Sequence, residues 1–186
     1  AIPKLKSETK VKGEEKMNNE TNENKVYKVL NELDIVYEVF EHEPIYTAQQ
    51  LKIIKDVAKG NHCKNLFLRN SKGDKYYLVV VRDDKAVDLK DLSNQIGSSR
   101  LSFASPERLY NTLGLTPGSV NPFSIINDKN KEVQLYIDKD VLDGQNLNFH
   151  PNVNTKIVNI ELEGFQKFLD HMNYKAIPVE ILQTQG

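Results

Sequence analysis

The chain has little of what marks secreted, membrane-embedded and disulfide-stabilised proteins. It contains a single cysteine, Cys63, so no disulfide can form within it. No run approaches the roughly 18 consecutive apolar residues that a membrane helix needs, and the first residues lack the apolar core of a signal peptide. We therefore expect a protein of the reducing cytoplasm without a membrane partner.

Strong charge and common cofactor motifs are also missing. The formal net charge is −1, which excludes a strongly basic nucleic-acid binder and leaves RNA binding to a local patch. There is no Walker motif, dinucleotide fingerprint or Gly-x-Ser-x-Gly elbow. The scattered histidines and one cysteine do not have the spacing of transition-metal ligands. We expect neither a metal nor a cofactor.

The length and the composition of the chain fit one globular domain. The chain has 186 residues, of which 39% are hydrophobic and 27% charged. Residues 1–24 are rich in lysine and glutamate and nearly free of large apolar side chains, so we expect a disordered tail. Met17 is a plausible natural start, which would make residues 1–16 a cloning remnant or a natural extension. The folded domain is predicted over residues 25–186.

The periodicity of apolar residues predicts alternating helices and strands. Helical spacing and cap residues indicate helices at about 25–34, 47–60, 88–97, 105–114 and 165–172. Strand patterns occur at 36–40, 64–69, 76–82, 123–126, 133–137, 147–149, 156–160 and 176–179, with hairpins expected over 64–82 and 123–137. The run 77–81 is apolar on both faces, as in a central buried strand. The sum is a mixed α/β domain without a regular parallel βαβ series.

A proline- and glycine-containing loop follows the fourth predicted helix. Pro117-Gly118 suits the central positions of a type II turn, and Ser119, Val120 and Asn121 then precede Pro122, which has no amide hydrogen. Amides that a regular ladder does not use are free to hold a carbonyl oxygen, an oxyanion or a ribose hydroxyl. An ordinary tight connection between two elements is the alternative, because Pro-Gly turns are common.

Basic residues are concentrated in one stretch of this nearly neutral chain. These basic residues include Lys52, Lys55, Lys59 and Arg69. They form either a positive surface that binds a phosphate backbone or a solvated helix face. Lys64 opens a strand, where it can point into a cleft and hold a phosphate or substrate oxygen, or decorate the surface. Beside it, Cys63 is expected to be a small buried thiol, because a nucleophile needs a lowered pKa and a base.

A third segment combines a histidine with asparagines. His150 precedes a proline, which restrains the histidine backbone to extended geometry, and Asn152 and Asn154 offer hydrogen bonds to a small polar ligand. A strand-to-turn corner with asparagines capping backbone groups is the alternative. His42 and His171 are expected to be ordinary surface residues.

These three segments, in this order, resemble the YbaK/ProX family of aminoacyl-tRNA editing domains. The family's lysine-bearing strand is similar to Cys63–Leu68, its Gly-x-x-x-Pro loop to Gly118–Pro122, and its histidine segment to Phe149–Thr155. The resemblance spans about residues 25–180. The subgroup that the chain resembles most is the free-standing Ala-tRNA(Pro) deacylases (ProXp-ala).

The resemblance implies a fold and a reaction. The fold is a single α/β domain with a mixed, barrel-like sheet surrounded by helices. The reaction is the hydrolysis of mischarged Ala-tRNA(Pro), with neither metal nor cofactor, to protect the fidelity of translation. Such editing has a physical basis, because a synthetase pocket built for proline gains only about 1–3 kcal/mol of discrimination against the smaller alanine.

The resemblance also implies roles for individual residues. Backbone amides of Gly118, Ser119, Val120 and Asn121 would hold the aminoacyl carbonyl and its oxyanion, and Lys64 would anchor the terminal adenosine. The substrate pocket would involve His150, Asn152, Asn154 and Pro122. The tRNA would contact the basic residues Lys52, Lys55, Lys59 and Arg69. The implied partners are mischarged tRNA(Pro) and, as a further candidate, prolyl-tRNA synthetase, but no DNA.

Three other interpretations stay open. A deacylase of the same family could remove cysteine or another amino acid from its tRNA. A non-catalytic tRNA-binding or regulatory module would bind RNA in a salt-sensitive way and cleave no ester. A domain taken from a larger synthetase would have catalytic synthetase motifs beside it in the full gene.

Overall fold

The computed structural model describes residues 6–9, 21–44 and 47–182. Five α-helices occur in this part: α1 (Asn22–Glu32), α2 (Ala48–Val57), α3 (Leu89–Ile96), α4 (Pro106–Leu113) and α5 (Leu162–Met172). The strands are β1 (Lys6–Thr9), β2 (Tyr37–Glu41), β3 (Asn61–Arg69), β4 (Tyr76–Arg82), β5 (Ser102–Phe103), β6 (Val133–Asp138), β7 (Leu147–Phe149), β8 (Lys156–Ile160) and β9 (Ala176–Val179). Two 3-10 helices cover Pro122–Asn127 and Lys139–Leu142.

Local capping explains where several helices begin and end. The side chains of Thr47, Asp88 and Ser105 each accept a hydrogen bond from a backbone amide in the first turn of α2, α3 and α4. Gly97 and Gly114 close α3 and α4 in the left-handed conformation, with φ of 71° and 67°. The predicted N-caps of these three helices and the predicted glycine ends of α3 and α4 are confirmed, but α2 ends at Val57 and not at Gly60. None of the described helices has the length and apolar character needed to cross a membrane.

The strands form one mixed sheet in the order β1-β2-β8-β7-β3-β4-β6-β9, with β5 paired to β3. The β3–β7, β4–β6 and β6–β9 pairs are parallel, and the other pairs are antiparallel. Strand β3 joins the two halves, because Asn61 and His62 pair with β7 while Cys63–Arg69 pairs with β4. The predicted class, a single α/β domain with a mixed sheet and helices, is confirmed.

Apolar side chains pack on both faces of this sheet. The larger core includes α1, α5 and a group of aromatic rings with centroids 5.0–6.4 Å apart: Phe123, Phe149, Phe165 and Phe168. The smaller core includes Leu92 of α3. Alternate residues of β4 enter each core, with Leu78 and Val80 on one side and Val79 and Val81 on the other. The prediction of a strand buried on both faces is confirmed.

The predicted strand at 123–126 is wrong, and with it the hairpin to β6. This segment is the 3-10 helix Pro122–Asn127. Proline at the first helical position has no amide to donate, and the Ser124 hydroxyl donates to the carbonyl oxygen of Asn121 at 2.6 Å, which stabilises a tight turn. The buried Phe123 and Ile125 had suggested alternation, but spacing in so short a run does not separate a strand from a turn.

Part of the predicted disordered tail is ordered. Thr21 caps α1, which begins at Asn22 and not at Lys25, and Lys6–Thr9 is a strand that pairs antiparallel with β2. The prediction of disorder is wrong for these two segments. Residues 1–5 and 10–20, the remainder of the tail, lie outside the described residues.

A buried cation joins the loop after β4 to the far edge of the sheet. The Lys85 ammonium is 1% exposed and donates to Asp138 Oδ1 at 2.9 Å, to Asp140 Oδ2 at 2.6 Å and to the carbonyl oxygen of Ile181 at 2.8 Å. Burial opposes the charge, but the hydrogen bonds and charges of Asp140 and Asp138 outweigh it and raise the pKa of Lys85. This ion pair was not anticipated from the sequence.

Replacing Lys85 by alanine would leave the Asp138 carboxylate buried without its cation. We expect the free energy of unfolding, measured by urea denaturation at neutral pH, to fall by about 3–5 kcal/mol. The matched change Lys90→Ala, at an exposed position of α3, should alter it by less than about 0.5 kcal/mol. Equal effects of the two substitutions would contradict this account.

Candidate active site

The loop between α4 and the first 3-10 helix is a rigid turn. The Ser119 amide donates to the carbonyl oxygen of Thr116 at 3.2 Å, and the Ser119 hydroxyl donates to the same oxygen at 2.9 Å. Gly118 has φ of 96°, a value that side chains other than glycine disfavour. The predicted turn centred on Pro117-Gly118 is therefore present and is held by two hydrogen bonds.

This turn is followed by amides that have no acceptor. Within the described residues, the backbone amides of Gly118, Val120 and Asn121 donate no hydrogen bond. The carbonyl oxygens are occupied instead, since Asn65 Nδ2 donates to Val120 at 3.1 Å and the Ser124 hydroxyl donates to Asn121. The loop thus presents hydrogen-bond donors, which is the polarity needed to hold a carbonyl oxygen or an oxyanion.

The buried side chain of Asn121 fixes the loop to the histidine segment. It is fully buried, and its Nδ2 donates to the carbonyl oxygen of Ser119 at 2.8 Å and to Asn152 Oδ1 at 2.9 Å. Asn152, with φ of 62°, donates in turn to the carbonyl oxygen of Asn22 at 3.0 Å. Asn154 Nδ2 lies 3.8 Å from the position of a Cβ at Gly118. The structure therefore brings together two of the three segments selected from the sequence.

Strand β3 contributes Asn65 to the loop, and Lys64 lies on the other face of the strand. The Lys64 ammonium donates to the carbonyl oxygen of Lys85, and Val81 of β4 is its neighbour in register. Successive side chains of a strand alternate between faces, so the residue of β3 that contacts the loop is Asn65. Sequence reasoning missed Asn65, although an amide before the apolar run Leu66–Leu68 was a usable signal.

The site also contains buried acceptor atoms without donors. Among the described residues, Asn65 Oδ1, Asn121 Oδ1 and His42 Nε2 are buried and have no hydrogen-bond partner. The orientation of both asparagine amides is fixed, because their Nδ2 atoms donate to oxygens. Buried polar atoms are nearly always satisfied, so these three acceptors indicate donors supplied by a ligand or by water.

Two histidines lie side by side at the start of the histidine segment, which Asn152 joins to this loop. Their ring centroids are 6.1 Å apart, and Nδ1 of His42 and His150 each lies 2.8 Å from a carbonyl oxygen, of Glu43 and Lys156 respectively. Because a carbonyl only accepts, each Nδ1 carries a hydrogen and Nε2 of the neutral ring has a free lone pair. His42 is only 5% exposed, so its prediction as a surface residue is wrong.

Burial lowers the pKa of His150 below its ordinary value. The hydrogen bond to the Lys156 carbonyl raises this pKa but does not compensate, and neighbouring His42 and His62 lower it further. His150 is therefore a neutral ring near pH 7, suited to shaping a pocket or accepting a hydrogen bond.

The predicted tRNA-binding residues are not equivalent in the structure. Lys52 and Lys59 are exposed at α2, whereas Lys55 is half-buried and pairs with Asp83 at 2.7 Å. Arg69 lies at the far end of β3, four residues from Asn65 and on the same face. The helix therefore offers less free positive charge than its sequence indicates.

Cys63 is an inert thiol in this environment. Burial raises its pKa well above the ordinary value, and the negative charges of Asp83, Asp138 and Asp143 add to the rise. Its side chain packs against the larger core, and the His62 ring is held by the carbonyl oxygen of Ala58 at 2.7 Å. The described residues contain no group of three or more His, Cys, Asp or Glu that could hold a metal ion.

A rigid loop of free amides, flanked by neutral side chains and without an activated nucleophile, is suited to binding and hydrolysing an acyl ester. The sequence comparison agrees with this class of site. The chain belongs to the aminoacyl-tRNA editing domain family, whose model matches residues 42–168, more than half of its length. It is accordingly an enzyme of the aminoacyl-tRNA deacylase class.

Individual relatives extend over most of the chain. It is 42% identical over 151 residues to the prolyl-tRNA editing protein ProX of Acetoanaerobium sticklandii, covering 80% of this chain and 92% of that protein. It is 33% identical over 152 residues to prolyl-tRNA synthetase associated domain-containing protein 1 of Mus musculus, covering 80% and 89%. A solved structure of a candidate trans-editing enzyme for prolyl tRNA synthetase shares the fold, with a TM-score of 0.63 at 17% identity and coverage of 89% and 99%.

The lowered pKa of His150 makes folding stability depend on pH. The unfolded chain takes up a proton at His150 near the ordinary pKa of 6.5, whereas the folded protein does so only at lower pH. The free energy of unfolding should therefore fall as the pH drops from about 6.5 through the folded pKa. In His150→Gln this fall should be smaller, with the contribution of His62, whose pKa is also lowered by burial, retained.

The measurement is urea denaturation between about pH 7.5 and 5. His171→Gln, at an exposed position of α5, is the matched control and should leave the pH dependence of the wild type unchanged. The same pH dependence in wild type and His150→Gln would show that His150 does not have the lowered pKa.

Proposed function

We propose that this protein hydrolyses the ester of Ala-tRNA(Pro), releasing alanine from tRNA that prolyl-tRNA synthetase has mischarged. The observation that carries the proposal is the set of free amides at Gly118, Val120 and Asn121, held in place by buried asparagine side chains. The prolyl-tRNA editing protein ProX, 42% identical to this chain, supports tRNA(Pro) as the substrate. The relative named prolyl-tRNA synthetase associated domain-containing protein 1, 33% identical, supports the synthetase as a partner.

The polarity of the site matches the two ends of an aminoacyl group. The free amides bind the ester carbonyl oxygen and stabilise the oxyanion that forms when water attacks the carbonyl carbon. The buried acceptor atoms of Asn65 and His42 provide oxygen and nitrogen lone pairs for the α-ammonium group, which has only donors. His150, Asn152, Asn154 and Pro122 enclose the small side chain.

The reaction needs water and a route for one proton. Water adds to the carbonyl carbon, the bond from that carbon to the ribose oxygen breaks, and the ribose oxygen receives a proton. The neighbouring ribose hydroxyl assists this transfer. The Gly118–Asn121 loop lowers the energy of the tetrahedral intermediate.

Lys64 lies on the face of β3 opposite the Gly118–Asn121 loop, so we do not retain the adenosine-anchoring role that the resemblance implies for it. Its ammonium donates to the carbonyl oxygen of Lys85 and supports the strand that positions Asn65. The carbonyl of Lys85 is itself fixed by the buried ion pair of the same residue with Asp138. The acceptor stem then lies along the exposed Lys52 of α2 and Lys59, just beyond the end of this helix, with Lys55 adjusting its pairing with Asp83.

The loop geometry can be tested with a matched pair of glycine substitutions. Gly118→Ala places a side chain at φ of 96° and should displace the free amides, reducing kcat/KM for Ala-tRNA(Pro) by about 100-fold or more. Gly144→Ala, at φ of 88° with nothing within 4 Å of the new Cβ, introduces similar strain away from the site and should keep wild-type activity. Lys64→Ala removes only a support of β3 and should reduce kcat/KM less than Gly118→Ala does. Full activity in Gly118→Ala would reject the role assigned to the loop.

The choice of amino acid is tested by a panel of aminoacylated tRNA(Pro) molecules. Alanine, the smallest side chain of the panel, should be released fastest, and proline should be retained, because one or two extra methylenes cost about 1–3 kcal/mol in a tight pocket. Single-turnover deacylation of Ala-, Cys-, Ser-, Thr- and Pro-tRNA(Pro) gives the ranking. Faster release of cysteine would assign the chain to another deacylase specificity, and RNA binding without cleavage of any ester would indicate a binding module.

A further inference from the structure

Two arginines from different elements meet at the turn between β3 and β4. Arg69 ends β3, and Arg108 lies in the first turn of α4. A Cβ placed on Gly73, in the turn, would lie 2.8 Å from the Nη1 atom of each arginine. The two guanidinium nitrogens are therefore no further apart than twice that distance, although both side chains are positively charged.

Neither guanidinium is neutralised within the described residues. Arg108 Nη1 donates to the carbonyl oxygen of Gly73 at 2.9 Å and to the Tyr76 hydroxyl at 2.8 Å, and Arg69 forms no ion pair or side-chain hydrogen bond there. The nearby carboxylate of Asp74 instead accepts from Asn70 Nδ2 at 2.6 Å. Lys72 and Lys75, both exposed in the same turn, add further positive charge.

This arrangement is unfavourable until an anion binds. Two like charges at short range repel each other, and Arg108 additionally lies near the positive end of the α4 dipole. A guanidinium pair with free donors matches the oxygens of a phosphate group better than it matches any neutral ligand. A purely structural role accounts for Arg108, which holds the turn, but not for Arg69, whose guanidinium has no hydrogen bond or ion pair in the part of the chain that the structure describes.

The two arginines lie on the same side of the sheet as the candidate active site. Asn65 and Arg69 lie on the same face of β3, four residues and about 13 Å apart. Tyr76, which Arg108 contacts, is the register partner of Arg69 on β4. An ester held at the Gly118–Asn121 loop would thus have its RNA chain within reach of the arginines after a few nucleotides.

We propose that Arg69 and Arg108 form a clamp for a backbone phosphate near the 3′ end of the RNA substrate. The inference rests on the proposed function for its choice of RNA as the source of the phosphate. A phosphodiester fits better than an acidic peptide because both guanidinium groups point at one small turn, where a single bidentate or bridging anion can contact them together.

The salt dependence of binding to uncharged tRNA(Pro) tests the clamp. Each phosphate contact that is removed should reduce the slope of log K against log[salt] by about 0.7–0.9. We expect this reduction for Arg69→Gln and for Arg108→Gln. The matched control is Arg82→Gln, because Arg82 is already paired with Asp84 at 2.7 Å, and its slope should equal that of the wild type.

Folding and free anion binding are controlled in the same experiment. The Arg69 side chain has no hydrogen bond to lose among the described residues, so Arg69→Gln should keep the thermal midpoint of the wild type and stay informative if Arg108→Gln is destabilised. Inorganic phosphate, added at constant ionic strength, should not displace the RNA. Displacement at low millimolar phosphate, or unchanged slopes in both variants, would overturn the clamp.

A minimal substrate separates this inference from the proposed function. Alanyl-adenosine carries the ester and the ribose but no phosphate, so Arg69→Gln should hydrolyse it at the wild-type rate while its KM for Ala-tRNA(Pro) rises several-fold. Failure of the wild type to hydrolyse either ester would reject the proposed function and leave the RNA-binding result standing. Equal loss on both substrates would show that Arg69 does not act through a phosphate.

Discussion

The buried amide of Asn121 is the constraint on which the site depends. One side chain holds the carbonyl oxygen of Ser119 on its own loop and the side chain of Asn152 across the fold, so a turn of the chain and the strand end beyond His150 are kept in one arrangement. Within the described residues, the main-chain amides of Gly118, Val120 and Asn121 stay free in this arrangement. Fixed dipoles cost no reorganisation when charge develops beside them, so the proposed hydrolysis would depend on the rigidity of this loop.

Strand β3 of the sheet connects this site to the rest of the molecule. Strand β3 pairs with β7 at its start and with β4 along most of its length. It therefore joins the half of the sheet that contains β7 to the half that contains β4, whose side chains enter both cores. Asn65 in its middle contacts the Gly118–Asn121 loop, and Lys64 beside it faces the loop that the Lys85 ion pair anchors. The two faces of a single strand therefore connect the candidate site to two separate supports.

Local signals in the sequence were sufficient for most of the fold and insufficient for the site. Caps such as Ser105 and the double-sided apolar run of β4 act through neighbours in the chain, and they appear in the structure as predicted. The 3-10 helix at Pro122–Asn127 was mistaken for a strand because both bury alternating apolar residues. Asn65, His42 and the Lys85–Asp138 pair were missed because their significance lies in contacts between distant segments, which composition and spacing do not contain.

The environment of Cys63 determines how susceptible this protein is to oxidation. Peroxides and disulfides react with the thiolate and not with the thiol, and the surrounding carboxylates and apolar core keep this sulfur protonated. Cys63 precedes Lys64 in the chain, so oxidation of its sulfur would add volume and charge near the start of β3. The one cysteine of this chain is therefore a poor target for peroxides and disulfides, and we expect deacylation to persist under conditions that inactivate cysteine-dependent enzymes.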